Sequence, residues 1–375
     1  MKNLLIVLAI IFVSCKSPSD KKTETKSIEL VRLQTSIDSL FNSEVEENES
    51  GAAILVSYDS EMIIGKGYGL RDIENNEPIT TNTNMRMASV SKQFTALSVL
   101  SLVDKGLLSL NDSIKKIWPY HVFENITIQH LLNHTSGLAD YEAPYFLKDW
   151  DKSKIVENKD ILDWLSTNPK PIFEAGKGWE YSNTAYVVLA NLVEKVSGKE
   201  FSIYAKKNVF EKAGMKEANY YNLANPIKIK ERAYCYEKDS LGNWGKVDGN
   251  FMNGLMGDGS VYTSVEDYFE YDLALRKKSI LSEETHDLIF KPSSTYQVNG
   301  EDRHYAMGWV VTDSTATHTG GWFGTNTFTK RYLNKPLTIA IFMNRNTLFE
   351  NDLIKKTDSL VLEYVNTTTN NAYKK

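Results

Sequence analysis

Cysteine is almost missing from this chain, with two in 375 residues, Cys15 and Cys235. Cys15 sits in the N-terminal segment, so Cys235 has no partner and an internal disulfide is excluded. No base stands near Cys235 in sequence, and it reads as a small apolar residue in a strand (RAYCYE). A large excess of basic charge is also missing. Lys and Arg number 43 against 48 Asp and Glu, a formal net charge of −5. That balance offers no attraction to a polyanion and argues against nucleic-acid binding. There is no internal repeat, and no low-complexity block beyond residues 16–27. The glycines at 254, 257 and 259 lack the strand–glycine–helix setting and later acid of a dinucleotide site. His130 and His134 are spaced as two zinc ligands on a helix would be. Leu131 stands where H-E-x-x-H needs its glutamate, and no third ligand stands out.

The apolar share is 42% and the charged share 24%, ordinary for a soluble protein with a sizeable core. The length suits one large domain or two ordinary ones. A positive start, Met1-Lys2-Asn3, leads into the apolar run 4–13, which is shorter than the roughly 20 residues a bilayer requires. Residues 1–14 therefore read as a signal peptide and not a membrane span. Cys15 after the small Ser14 resembles a bacterial lipobox, departing at Phe12 where Leu is more usual. The resemblance implies lipidation of Cys15, export to the cell envelope and a membrane anchor. Residues 15–27 read as a flexible polar tether.

From residue 28 a helical spacing (Leu30, Leu33, Ile37, Leu40, Phe41) runs to about 47. Strand patterns at 52–58 and 62–69 flank the short turn Asp59-Ser60 and predict a hairpin. A helix over 89–105 follows. The stretch 107–230 is mainly helical (127–134, 159–167, 183–197, 201–213), with further helices at 264–278 and 282–290. Strands return at 305–313, 325–333 and 337–343, and a helix at 350–365 closes the chain. Strands at both ends flanking a helical middle predict one antiparallel sheet covered by helices, with residues 107–230 as a second lobe. A small-molecule site belongs between the two.

Three short elements carry chemistry. Ser89-Val90-Ser91-Lys92 puts a hydroxyl at a helix start with Lys92 on the same face, three residues on. A serine becomes a strong nucleophile only when a base takes its proton. Ser19 with Lys22 and Ser113 with Lys116 share that spacing, one in the tether and one in a polar turn. Tyr181-Ser182-Asn183 offers a second base if cations stabilise the phenolate, and Asn183 can bridge the lysine and a substrate amide. Tyr220/Asn222 and Tyr364/Asn366 share this spacing too. His318-Thr319-Gly320-Gly321 is a glycine-containing element where a substrate backbone can approach closely. The N–H groups of Ser89 and Gly321 can together form an oxyanion hole. The aromatics Tyr141, Tyr145, Phe146, Trp150, Trp322 and Phe323 are candidate pocket-lining residues, or simple packing between loops.

In this order the three elements resemble those of the serine β-lactamases and penicillin-binding proteins, specifically the class C β-lactamase-like branch with its esterases and D-aminopeptidases. Arg86-Met87-Ala88-Ser89, residues 110–114 (LNDSI), 126–138 (ITIQHLLNHTSGL) and 257–264 (GDGSVYTS) extend the resemblance over about 28–365. It implies an α+β fold of the β-lactamase/transpeptidase type, with an antiparallel five-stranded sheet flanked by helices plus a mainly helical lobe, as one domain over 28–368. It implies Ser89 as nucleophile, Lys92 and Tyr181 sharing the proton work, and Asn183, His318, Thr319 and Gly320 binding substrate, His318 on an edge strand. The implied reaction is acyl transfer from an ester, amide or lactam carbonyl of a small molecule or peptide, needing no metal or organic cofactor. His318 stands where many relatives carry lysine. Histidine is near neutral at pH 7, which leans away from penicillin hydrolysis and toward esterase or peptidase chemistry. The alternative is a non-catalytic binding or sensor protein that keeps the fold.

Overall fold

The computed structural model describes residues 18–142, 144–350 and 352–373. The signal peptide and Cys15 lie outside these residues. The first helix, Pro18–Glu44, begins well before residue 28, so much of the segment expected to be a flexible tether is helical. Proline suits a first helical position, and the Lys, Glu and Asp that follow are tolerant helix formers.

An eight-stranded sheet organises the molecule. Its order is Ser294–Val298, Glu301–Ala306, Trp309–Val311, Thr315–Trp322, Thr325–Tyr332, Leu337–Met343, Ala52–Tyr58 and Glu61–Tyr68. Every pairing is antiparallel. The sheet therefore exceeds the five strands expected. The single strand expected over 305–313 is broken at Met307-Gly308, where φ is 47° and 88°, and the chain reverses there. A Cβ on Gly308 would stand 2.8 Å from the backbone of Lys92 and Gln93, so glycine lets this turn press on the start of the Lys92 helix. The first hairpin is as expected, with Asp59 and Ser60 both at positive φ (53° and 65°), the mirror-image turn that suits the strand twist.

Ala52–Tyr58 pairs with Leu337–Met343 in the register Ala53↔Phe342 and Leu55↔Ala340. The two ends of the chain are thus joined side by side in the sheet, one strand in from the Glu61–Tyr68 edge. Period-two alternation separates the faces. Ala53, Leu55, Ala340 and Phe342 join one large core with the Lys92–Asp104 helix and the middle lobe. Ile54, Val56, Ile339 and Ile341 join a second core with the terminal helices, including Leu33, Ile37, Phe41, Val361 and Tyr364. Tyr364 thus belongs to the second core, away from Ser89. The Lys92–Asp104 helix is buried from Lys92 through Leu102, and a helix apolar on nearly all sides belongs inside a domain.

The helices expected in the middle appear at Ile128–Leu132, Asn158–Ser166, Asn183–Ser197 and Phe201–Ala205, the last continuing as a wider turn through Phe210. A helix at Pro144–Asp149 was not anticipated. Met85–Arg86, Val261–Thr263 and Asn219–Tyr220 form a small three-stranded sheet directly before the Ser89 turn.

Candidate active site

Ser89 sits in a tight 3-10 turn, Ala88–Ser91, that runs straight into the Lys92–Asp104 helix. The turn is tied down from two sides. The Met87 N–H donates to Val261 O at 2.8 Å, and Ser91 Oγ accepts the Val261 N–H at 3.1 Å. From the large sheet, Thr325 Oγ1 donates to Arg86 O at 3.2 Å and Thr327 Oγ1 to Met87 O at 2.8 Å. Ala88 holds φ at 45°, a region sparsely populated by non-glycine residues that persists only where the surroundings over-determine it.

Lys92 is wholly buried. Its Nζ lies 3.3 Å from Ser89 Oγ, 2.7 Å from Asn183 Oδ1 and 2.8 Å from Asp258 O. The last two can only accept, so they take two of its N–H bonds. Ser89 Oγ alone among the three can also donate. A neutral amine would therefore turn its lone pair to the Ser89 hydroxyl, and an ammonium its third proton.

Asn183 opens the Asn183–Ser197 helix. Ser182 caps that helix, its side chain accepting the Ala185 N–H, while Asp140 Oδ2 takes the Asn183 N–H at 2.6 Å. An acid at these unpaired first N–H groups is favourable. The Asn183 amide bridges Lys92 on its oxygen side and Glu142 Oε1, at 3.0 Å, on its nitrogen side. The second Nδ2 proton is what remains for a substrate. Tyr181 places its ring under Lys92, 4.8 Å from Nζ to the ring centre. Its hydroxyl is buried without a hydrogen-bond partner.

His318 lies on Thr315–Trp322 and is nearly buried. Its Nδ1 is 2.6 Å from Thr319 O, and its Nε2 is 3.1 Å from the Tyr305 hydroxyl. Burial, and then the charge of Lys92, push His318 down to about 3, so it is neutral at physiological pH. Thr315–Trp322 is not an edge over its whole length. Its pairing with Trp309–Val311 covers Ala316 and Thr317 only, which leaves His318–Trp322 as a free edge beside Ser89. Alternation puts the Thr319 side chain on the opposite face from His318 and Gly320, exposed to solvent, while its carbonyl accepts from His318 Nδ1. A Cβ on Gly320 would stand 2.5 Å from Met87 O and 2.3 Å from Thr327 Oγ1. Glycine is required for the strand to meet the Ser89 turn.

The open cleft in front of Ser89 has a cavity volume of about 100 Å³, and its lining includes Asn183, Glu142, Asp258, Gly321 and Trp322. Ser89, Asn183 and Gly321 thus face the cleft, whereas Lys92 and His318 stand buried around it. Of the aromatic candidates, Tyr141 and Trp322 line the cleft. Phe146 and Trp150 stack on each other, 5.4 Å between ring centres, which is packing. The Tyr145 side chain lies outside the described residues. Cys235 is buried, and burial raises its thiol far above the ordinary range, so it is inert. His130 Nδ1 accepts the Thr127 N–H at 3.3 Å as part of a helix cap. Among the described residues no three His, Cys, Asp or Glu side chains gather as a metal site. Tyr220 is buried, with its hydroxyl 2.7 Å from Thr95 Oγ1.

A group of acids was not foreseen. Tyr141 donates to Asp258 Oδ2 at 2.6 Å, and Asp140 and Glu142 flank it. Glu142 keeps an exposed edge at the cleft, yet the withdrawal of its carboxyl end from water, together with Asp140 and Asp258, pushes it up to about 7. Burial also raises Asp140. Two acids around a tyrosine directly after residues 126–138, and an acid inside 257–264, are the sequence signals that point to this group.

The sequence model of the family described as Beta-lactamase matches residues 37–361. The chain is 32% identical over 342 residues to penicillin-binding protein 4* of Bacillus subtilis, covering 87% of this chain and 75% of that protein. It is 29% identical over 209 residues to the esterase EstB of Burkholderia gladioli, covering 52% and 53%. The crystal structure of a penicillin-binding protein from Bacillus halodurans superposes with a TM-score of 0.76 at 24% identity, over 88% of this chain and 99% of that one. The β-lactamase/transpeptidase-like fold follows, and this chain belongs to the beta-lactamase family of serine hydrolases.

Proposed function

We propose that the protein hydrolyses an ester, amide or lactam through an acyl-enzyme on Ser89. The observation that carries this reading is the buried Lys92 amine, 3.3 Å from Ser89 Oγ and held by two acceptor-only oxygens. Ser89 Oγ attacks the carbonyl carbon while its proton passes to Lys92. The N–H groups of Ser89 and Gly321 receive the oxyanion, an interaction of the kind whose loss slows reactions about 100-fold or more. The intermediate collapses and the C–O or C–N bond breaks. Lys92, with Tyr181 beside it, returns the proton to the leaving atom. Water then attacks the acyl-enzyme, gives up its proton along the same path, and releases the acid and free Ser89.

The ionisable groups favour substrates without a free carboxylate. His318 is neutral and offers no cation to a carboxylate, and the carboxyl groups of Asp140, Glu142 and Asp258 gather behind Asn183. An ester or a neutral or amine-bearing amide suits this surrounding better than a penicillin. The similarity to an esterase supports the same choice.

Intact-mass spectrometry of residues 24–375 and of Ser89→Ala, each incubated with a fluorophosphonate and separately with a penicillin, tests the reading. A fluorophosphonate adduct that disappears in Ser89→Ala, with little or no penicillin adduct, is the expected result. Equal labelling of Ser89→Ala would show that the nucleophile lies elsewhere. Rapid penicillin acylation would overturn the preference against carboxylates.

A further inference from the structure

Among the buried ionisable groups that the reaction above leaves unused, His134 is packed against Tyr181. It lies in the turn that follows the Ile128–Leu132 helix and is completely buried. Its carbonyl accepts the Glu180 N–H at 3.0 Å. Its ring Nδ1 accepts the Ser182 N–H at 3.1 Å. One residue thus binds the backbone N–H groups immediately before and after Tyr181. Its ring lies 4.4 Å from the Tyr181 ring, tilted 35°.

These contacts carry a cost that packing alone would not need. Because Nδ1 accepts, the proton of the neutral ring is on Nε2, and Nε2 is buried without a hydrogen-bond partner. An unpaired buried donor costs about 1–3 kcal/mol. The backbone also holds φ at 61°, which is unusual for a residue with a ring. A leucine would fill this space without the stranded N–H. What histidine adds is an acceptor for Ser182 and a flat surface for Tyr181. We propose that His134 is a positioning residue for Tyr181, holding its ring and both neighbouring peptides so that the ring stays under Lys92 Nζ; this rests on the reading of Tyr181 as a proton-transfer group.

The acceptor persists over a wide pH range. Burial first, then the charges of Lys92 and His318, keep His134 well below the ordinary imidazole range. The other titratable groups facing it are Tyr181, Tyr186 and Tyr305. His134 therefore adds no limb of its own to the pH–rate profile.

The test is a double-mutant cycle with Tyr181→Phe, reading kcat and KM on an ester and the melting temperature of each variant. Displacing a proton-transfer group forfeits part of the roughly 100-fold or greater effect such groups supply. His134→Leu should lower kcat about tenfold or more with KM nearly unchanged. His134→Asn should recover most of kcat, because its amide oxygen can accept the Ser182 N–H and Asn tolerates positive φ. The double variant His134→Leu/Tyr181→Phe should be no slower than Tyr181→Phe, since residues acting through one group are not additive. If His134→Leu does not fold, His134→Gly removes ring and acceptor without backbone strain and enters the same cycle. An unchanged kcat in Tyr181→Phe would sink the reading of Tyr181 itself. A large loss in Tyr181→Phe with none in His134→Leu, losses that multiply independently, or no rescue by Asn would overturn the role of His134 alone.

Discussion

At the scale of single residues, His318 shows how neighbours decide what a side chain can do. Thr319 O can only accept, so His318 Nδ1 carries the proton and Nε2 accepts from Tyr305. Burial and Lys92 hold the ring neutral down to about pH 3, whereas the unfolded chain takes up a proton near pH 6.5. The unfolded state binds more protons between those values, so this contribution to stability is full above about pH 6.5. It is lost as pH falls toward about 3, at up to about 1.4 kcal/mol per pH unit. Urea midpoints of wild type and His318→Gln should converge as pH drops from 7 to 4; parallel curves would contradict the buried neutral ring. Glu142 runs the other way. Its raised carboxyl favours the fold below about pH 4.5, and that contribution is lost as pH rises through about 7. Glu142→Gln should therefore gain stability relative to wild type between pH 5 and 8 in the same urea measurement. Substituting His318→Lys should raise acylation by carboxylate-bearing substrates relative to neutral esters, read as the ratio of kcat/KM values. A constant ratio would remove histidine from the specificity argument.

At the scale of elements, the meeting of Thr315–Trp322 with the Ser89 turn decides whether the cleft exists. Gly320 permits that meeting, since any Cβ there would press into Met87 O and Thr327 Oγ1. Overpacking of this kind costs about 1–3 kcal/mol. Gly320→Ala should lower the melting temperature and slow fluorophosphonate labelling of Ser89 together, because Thr327 also holds Met87 O. Normal labelling in a destabilised protein would mean the turn keeps its place without the strand. Most elements were legible in the sequence because their patterns are local. The Asp59-Ser60 hairpin and the Asn183–Ser197 helix carry their turn and cap residues within a few positions. The split at Met307-Gly308 escaped notice because 305–313 is apolar enough to read as one strand. What breaks it is close packing on Lys92 and Gln93, which is distant in sequence.

At the scale of the whole molecule, the chain closes on itself. Ala52–Tyr58 and Leu337–Met343 pair one strand in from the Glu61–Tyr68 edge, and the terminal helices cover one face. Leu353, Val361, Tyr364 and Val365 of the last helix are buried there. Burying such side chains contributes about 1.5–3 kcal/mol each, an upper estimate. Their sum is comparable to the 5–15 kcal/mol that typically separates folded from unfolded. Deleting residues 353–375 should abolish the cooperative thermal transition seen by circular dichroism. A truncated chain that melts cooperatively near the wild-type temperature would show that this face does not need its cover.

The order of elements, the α+β class and the trio of short motifs were determined by the sequence itself. Ser89 and Lys92 lie within one helical turn, and the apolar periods of strand and helix need no partner to be read. The family matches bear out the family and the fold class. The electrostatics belonged to the tertiary structure alone. Lys92 meets Asn183 across 91 positions and Tyr141 meets Asp258 across 117. A neutral His318, a carboxyl near 7 at Glu142 and a ring at His134 gripping the peptides around Tyr181 arise from burial and neighbours brought together by the sheet and the lobe. Dielectric and distance set such properties, and neither exists until the chain has folded.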